Sequence, residues 1–175
     1  MKAIRIRRAA LVMVLIGLIG CSSIDEENKP DKATTLPQKV EQVRSLPSLS
    51  MMDVTGNKIN LASFRGKKVF VNLWATWCPP CRREIPSIER LYKESDKEKA
   101  VFVLLSLDEN FKAAKEFATS NKLHVPVFYP AEQLPDLFDV DAIPATYIFN
   151  EKGELMKEIN SMDDYYTSEY IDLFK

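Results

Sequence analysis

Two stretches carry nearly continuous apolar runs of strand length. Val69, Phe70, Val71, Leu73 and Trp74 form the first and Ala100 to Leu107 (AVFVLLSL) the second, and each reads as a strand covered on both faces. Helical spacing follows each run. Ile85, Ile88, Leu91 and Tyr92 recur at i, i+3, i+6 and i+7, giving one apolar face to a helix that begins near Cys78 and ends near Ser95. Phe111, Ala114 and Phe117 mark a second amphipathic helix over Phe111 to Asn121. Strand, helix, strand, helix in this order predicts a parallel sheet with right-handed crossovers.

Shorter signals flank this centre. Leu46 to Asn60 reads as two strand-like pieces closed by the loop Asp53-Val54-Thr55-Gly56-Asn57, a hairpin pattern. Leu61 to Phe64 is a helical turn, and Gly66-Lys67-Lys68 punctuates the approach to the central strand. Val125 to Tyr129 adds a short strand and Leu134 to Phe138 a helical turn. Ala145 to Asn150 and Glu154 to Ile159 flank Glu151-Lys152-Gly153 as an antiparallel hairpin. Asp163 to Phe174 closes the chain as a helix capped by Asp163, with Tyr166, Tyr170, Ile171 and Phe174 as its buried side. Pro86 lies inside the first helix, where it removes a backbone hydrogen bond.

The first 45 residues follow none of these patterns. Lys2, Arg5, Arg7 and Arg8 precede an uncharged apolar run from Ala9 to Gly20 that is short for a membrane span but suits a signal peptide over residues 1–21. Leu18-Ile19-Gly20-Cys21 resembles the lipobox of bacterial lipoproteins, which implies that Cys21 becomes an acylated first residue bound to a lipid membrane. Residues 22–45 are polar and mixed in charge, with too few large apolar groups to bury, and read as a flexible tether. Residues 46–175 then form one domain, in keeping with 175 residues of 46% hydrophobic composition. A net charge of −1 gives no electrostatic case for a nucleic-acid partner.

The chemistry concentrates at Cys78 and Cys81. Pro79 and Pro80 between them sit where a helix's first turn has no use for N–H groups, so the pair marks a helix N-terminus. Unsatisfied N–H groups and the helix dipole favour thiolate there. Cys78 is therefore the expected nucleophile, and Cys81, one turn in and more buried, the resolving thiol. If Cys21 carries lipid, the other two of the three cysteines are a matched redox pair. Two thiolates also make half a zinc site, or could hold copper as a chaperone does. No second Cys pair exists and the single histidine, His124, is distant in sequence, so no metal site is assigned. A tethered binding module without chemistry is a further alternative.

WCPPC after VNLWAT, followed by Arg82, Glu84 and Pro86, resembles the TlpA/ResA-like branch of the thioredoxin superfamily, membrane-tethered thiol-disulfide oxidoreductases. The likeness runs from about Pro47 to about Gly153 and includes Gly56, Leu61, Phe64, Gly66-Lys67 and Ile143-Pro144 with Thr146. It implies an α/β thioredoxin-like fold, a central mixed sheet flanked by helices, with an N-terminal β-hairpin extension. It also implies that Pro144 is cis and faces the cysteine pair, leaving the Ile143 backbone free to pair with an extended substrate. Glu84 would move protons during exchange, although an acidic residue in a helix's first turn is favourable through the dipole alone. Asn72 stands where thioredoxin has a buried acid, and cannot titrate. Trp77 either shapes the rim beside Cys78 or packs inward, and His124 reads as a loop or core-edge residue.

The activity so implied is disulfide reduction on exported proteins such as apocytochrome c, with electrons from a membrane thiol donor. The domain would lie outside the bacterial cytoplasm. No cofactor is expected beyond the Cys78–Cys81 couple, which carries the electrons itself.

Overall fold

The apolar run at Val69 becomes β3 (Lys68–Trp74), an interior strand of a seven-stranded sheet in a computed structural model that describes residues 44–175. The other strands are β1 (Ser50–Asp53), β2 (Lys58–Asn60), β4 (Ala100–Ser106), β5 (Val127–Pro130), β6 (Ala145–Phe149) and β7 (Leu155–Ile159). Their spatial order is β2-β1-β5-β4-β3-β6-β7. The β3–β4 and β4–β5 pairs are parallel, whereas β6, β7, β1 and β2 join antiparallel, so the sheet is mixed. The helices are α1 (Pro79–Glu94), α2 (Phe111–Ser120) and α3 (Ser168–Phe174). Among the described residues no helix is long and apolar enough to cross a membrane.

Alternation along β3 divides the core in two. Phe70 and Trp74 pack with Ile85, Ile88 and Leu91 of α1, Phe111 and Ala114 of α2, and Tyr170 and Phe174 of α3. α1 and α2 thus bury residues on one face, as successive right-handed crossovers through neighbouring parallel strands require, and α3, after β7, packs onto the same face. Val69, Val71 and Leu73 face the other way, onto Leu46, Leu49, Leu61, Phe138 and Tyr147. That side is covered by the segment before β1 and by two short 3-10 helices, Leu61–Phe64 and Asp136–Phe138. Asn72 shares the helical face with Phe70 and Trp74, which aims a polar side chain at α1 from the sheet's centre.

Two boundaries differ from expectation. Arg44 and Ser45, assigned to the tether, belong to the fold: the Arg44 carbonyl accepts from the Leu155 N–H at 2.8 Å, and Ser45 bridges Glu154. Gly153 permits this approach, because its φ of +81° suits glycine and a Cβ there would lie 3.2 Å from Arg65 Nε.

The closing helix is also shorter than Asp163–Phe174. It starts at Ser168 with Thr167 at its N-cap, and Asp163 caps nothing. Residues 163–165 are held out of the helix by α1 instead, since the Asp163 N–H donates to Glu84 Oε2 at 3.2 Å and the Tyr165 N–H to Ser87 Oγ at 3.1 Å. Tyr165, rather than the half-buried Tyr166, is consequently the core residue, with its ring edge-on to Phe70 at 5.1 Å. These tertiary contacts outweigh the local helical pattern.

Phe174 locks α3 beneath the sheet, with its ring 5.0 Å from Phe102 and 5.9 Å from Phe70. Removing such a buried ring costs about 3–5 kcal/mol. Phe174→Ala should lower the urea midpoint accordingly; an unchanged midpoint would show that α3 is not part of the cooperative core.

Candidate active site

Cys78 occupies the N-cap position of α1, with extended backbone (φ −93°, ψ 102°), and Pro79 and Pro80 form the first helical positions. The prolines take two positions whose N–H groups would have no intrahelical partner. The Cys81 N–H instead points back at Cys78 Sγ, 3.3 Å away. A sulfur in this place does the work of a capping oxygen and lies at the positive end of the helix dipole. The structure holds the pair oxidised as a Cys78–Cys81 disulfide. Cys78 is 3% exposed and Cys81 fully buried, so the order of accessibility is the one expected.

The Ile143–Pro144 peptide bond is cis, as the resemblance implied. The β3–β6 ladder begins only at Ala145, leaving the Ile143 backbone outside it. The Ile143 carbonyl oxygen lies 3.7 Å from Cys78 Sγ, within reach of a proton on the reduced thiol. Trp77, next to Cys78 in the chain, is 64% exposed, which makes it a rim residue rather than a packing one.

Glu84 lies three positions beyond Cys81 on α1, hence on the same helical face, and is only 2% exposed. Asn72 Nδ2 donates to its Oε1 at 2.7 Å, and the Asp163 N–H to its Oε2. Burial raises the carboxyl to about 7 against these two hydrogen bonds, which favour the ionised form. Asn72 Nδ2 also donates to Thr146 Oγ1 at 2.9 Å, which in turn accepts from the Tyr165 hydroxyl at 2.7 Å. One buried chain of polar groups therefore links α1, β3, β6 and the segment before α3. Its carboxyl can hold or release a proton near neutral pH.

Asp108 is a second buried carboxylate, one that motif reading missed. The Thr76 N–H reaches its two oxygens at 3.1 and 3.2 Å, and the Thr76 hydroxyl donates to Oδ1 at 2.6 Å. The Ser106 hydroxyl donates to Oδ2 at 2.8 Å, while the Leu107 N–H donates to the Trp74 carbonyl. The turn from β3 into Cys78 is thereby fastened to the end of β4. An acid directly after an apolar strand, opposite a Thr two residues before the first cysteine, was the available signal.

His124 lies apart from this site, as expected, with its Nδ1 2.7 Å from Glu89 Oε1 at the core edge. Cys21 lies outside the described residues. Among those described, no three His, Cys, Asp or Glu side chains converge as a metal site would need. What the arrangement offers is a cysteine pair whose outer sulfur is nearly covered, a free backbone edge beside it and a titratable carboxyl on the same helix.

Comparison with known proteins agrees with that geometry. The thioredoxin-like protein YneN of Bacillus subtilis is 32% identical over 145 residues, covering 82% of each chain. The thiol-disulfide oxidoreductase ResA of the same organism is 29% identical, over 79% of this chain and 78% of its own. Among solved structures, StoA from Bacillus subtilis superposes with a TM-score of 0.58 at 26% identity, over 68% of this chain and 91% of its own. The family model described as AhpC/TSA matches residues 43–158. With a fold, a cysteine pair and relatives that coincide in this way, the chain belongs to the AhpC/TSA family of thioredoxin-like proteins and is a thiol-disulfide oxidoreductase.

Proposed function

We propose that this protein reduces disulfides of exported proteins outside the cytoplasm. The observation that carries the reading is the Cys78–Cys81 couple at the start of α1, with the unpaired Ile143 backbone 3.7 Å from its outer sulfur. Reduced Cys78, as thiolate, attacks a substrate disulfide. A Cys78–substrate bond forms, and the departing substrate sulfur takes up a proton. Ile143 and Pro144 hold the extended substrate while Trp77 shields the rim. Cys81 then attacks Cys78 Sγ, releases the second substrate thiol and leaves the couple oxidised.

Glu84 serves the second step. Cys81 must lose its proton as it attacks, and a carboxyl that ionises near pH 7 one turn away can accept it, directly or through a bridging water. Asn72 and Asp163 hold that carboxyl in place, and Asp108 fixes the turn that presents Cys78. A membrane thiol donor restores the dithiol, so no organic cofactor takes part. The lipobox-like run ending at Cys21 supports anchoring by acylation, with the tether letting the domain reach partners near the membrane. Apocytochrome c is one exported substrate of the right kind.

Cys78→Ser should abolish thiol-dependent reduction of insulin, and Cys81→Ser should trap mixed disulfides at Cys78. Full activity of Cys78→Ser would end the redox reading. The direction of flow is tested by the couple's reduction potential: a value near about −120 mV, typical of a strong oxidant, would contradict a reductase.

Glu84→Gln reads the carboxyl two ways. The rise in exchange rate expected of wild type across pH 6 to 8, about the carboxyl's value near 7, should be flattened by the substitution. In stability the sign is opposite to that of an ordinary ion-paired acid. A carboxyl raised from 4.5 to about 7 keeps its proton in the folded state while the unfolded chain has lost it, so stability falls as pH rises from about 4.5 to 7. The fall is up to about 3 kcal/mol and should be absent in Glu84→Gln by urea denaturation at pH 5 and pH 8. Identical pH slopes in both proteins would show that Glu84 ionises normally. Mass spectrometry of the native chain should find cleavage before Cys21 and an acylated cysteine; an intact Met1 would refute the anchor.

A further inference from the structure

Asn72 is fully buried in the polar chain around Glu84, and one end of its side-chain amide has no partner. Nδ2 makes both of the amide's hydrogen bonds, to Glu84 Oε1 at 2.7 Å and to Thr146 Oγ1 at 2.9 Å. Oδ1 accepts from nothing among the described residues, although a bare buried acceptor costs about 1–3 kcal/mol. The hydroxyls beside it are short of an acceptor as well. Thr146 lies directly across from Asn72 in the β3–β6 ladder, and its hydroxyl and that of Tyr165 share a single hydrogen bond between their two protons. The network is complete only at the carboxylate.

This arrangement belongs to ionised Glu84. Its Oε1 faces Asn72 Nδ2 and its Oε2 faces the Asp163 N–H, so a proton arriving at either oxygen meets a donor rather than an acceptor. The remaining neighbours do not supply one. Ser87 Oγ donates to the backbone carbonyl of Glu84 and accepts from the Tyr165 N–H. The Tyr165 hydroxyl is turned to Thr146, and burial together with the Glu84 charge holds it protonated. The Asp163 carboxylate accepts from the Tyr170 hydroxyl at 2.6 Å. No cation pairs with Glu84 among the described residues. The Asp163 N–H is main chain and cannot reverse. The Asn72 amide can, because its oxygen and nitrogen are of nearly the same size and its last torsion is roughly two-fold.

After a half-turn, Oδ1 stands where Nδ2 stood, within hydrogen-bond reach of Glu84 Oε1 and Thr146 Oγ1. It then accepts the acid's proton from one and the hydroxyl proton of Thr146 from the other, while Thr146 still accepts from Tyr165. The bare end of the amide becomes Nδ2 in place of Oδ1. One end is bare in either orientation, so the charge on Glu84 decides between them. We infer that Asn72 is a positioning residue whose amide turns over whenever Glu84 gains or loses a proton, donating to the carboxylate and accepting from the carboxylic acid. No proton passes through Asn72. Its service is to give the acceptor of the Cys81 proton a partner in both of its forms. The inference rests on the proton-accepting role of Glu84 given above and adds what makes that role reversible.

The test follows the oxidised wild-type protein by nuclear magnetic resonance, since the Cys78–Cys81 disulfide does not titrate. The Glu84 side-chain carboxyl carbon and the Asn72 side-chain amide protons are recorded from about pH 5 to about pH 9, a range that brackets the carboxyl's value near 7. At the alkaline end the amide protons should show Overhauser cross-peaks to the Glu84 and Thr146 side chains. At the acid end those cross-peaks should be lost, with the same midpoint as the Glu84 carbon, and the amide protons should move upfield as they leave a charged acceptor. In Glu84→Gln neither change should follow pH. A kinetic readout accompanies these. Asn72→Leu removes a partner from both forms of Glu84, and the bond to the carboxylate is stronger than the one to the acid by about 1–1.5 kcal/mol. The rise in exchange rate with pH should therefore move upward by about one pH unit.

Cross-peaks that persist at the acid end while the Glu84 carbon titrates would overturn the turning amide and leave the role of Glu84 intact. A pH-dependent change that survives in Glu84→Gln would overturn it too, by assigning the change to another group. An unmoved rate profile in Asn72→Leu would remove the positioning role. A Glu84 carbon that does not titrate across this range would remove the proton-accepting reading and the inference together.

Discussion

Every feature of this protein's chemistry depends on the backbone at the start of α1. Four N–H groups at a helix start lack intrahelical partners, and here two are absent because Pro79 and Pro80 occupy those positions. The Cys81 N–H remains, and it points at Cys78 Sγ. Negative charge on that sulfur is therefore stabilised by a directed hydrogen bond and by the dipole of a sixteen-residue helix. The helix in turn is held by the central strands, with Ile85, Ile88 and Leu91 seated on Phe70 and Phe102. Core packing thus sets the reactivity of the outer sulfur.

The same helix carries the opposite kind of charge problem one turn below. Glu84 is buried against the sheet, where burial outweighs the help it receives from Asn72 and the Asp163 backbone, so its proton stays on until about pH 7. The two environments are complementary. The first sulfur is encouraged to lose a proton, and a carboxyl nearby is prepared to gain one. Neither requires an added group. The carboxyl is held in place because β3 presents an asparagine, rather than an apolar residue, toward α1 in the middle of an otherwise apolar strand.

What could be read from the chain alone follows from the range of each interaction. β3, β4, α1 and α2 were legible because their apolar spacing is local and repeated, and the cysteine pair because two prolines and a strand end define a helix start. The closing helix was misplaced because Asp163 looks like a cap to its own neighbours, while its real partners, Glu84 and Tyr170, lie 79 and 7 residues away. Tyr165 was overlooked beside Tyr166 for the same reason, since helical spacing cannot tell which of two adjacent tyrosines reaches Thr146 and Phe70. Asp108 reads as an ordinary turn acid until β4 is laid parallel to β3 in register, with Ser106 beside Trp74.

The most direct measurement is the titration of Cys78 in the fully reduced protein, followed by thiolate ultraviolet absorbance and by the pH dependence of its alkylation. The account predicts an ionisation well below that of a free cysteine at about 8.5, with Cys78 alkylated ahead of Cys81. A Cys78 thiol that ionises at or above the free value, or a Cys81 that reacts first, would contradict it.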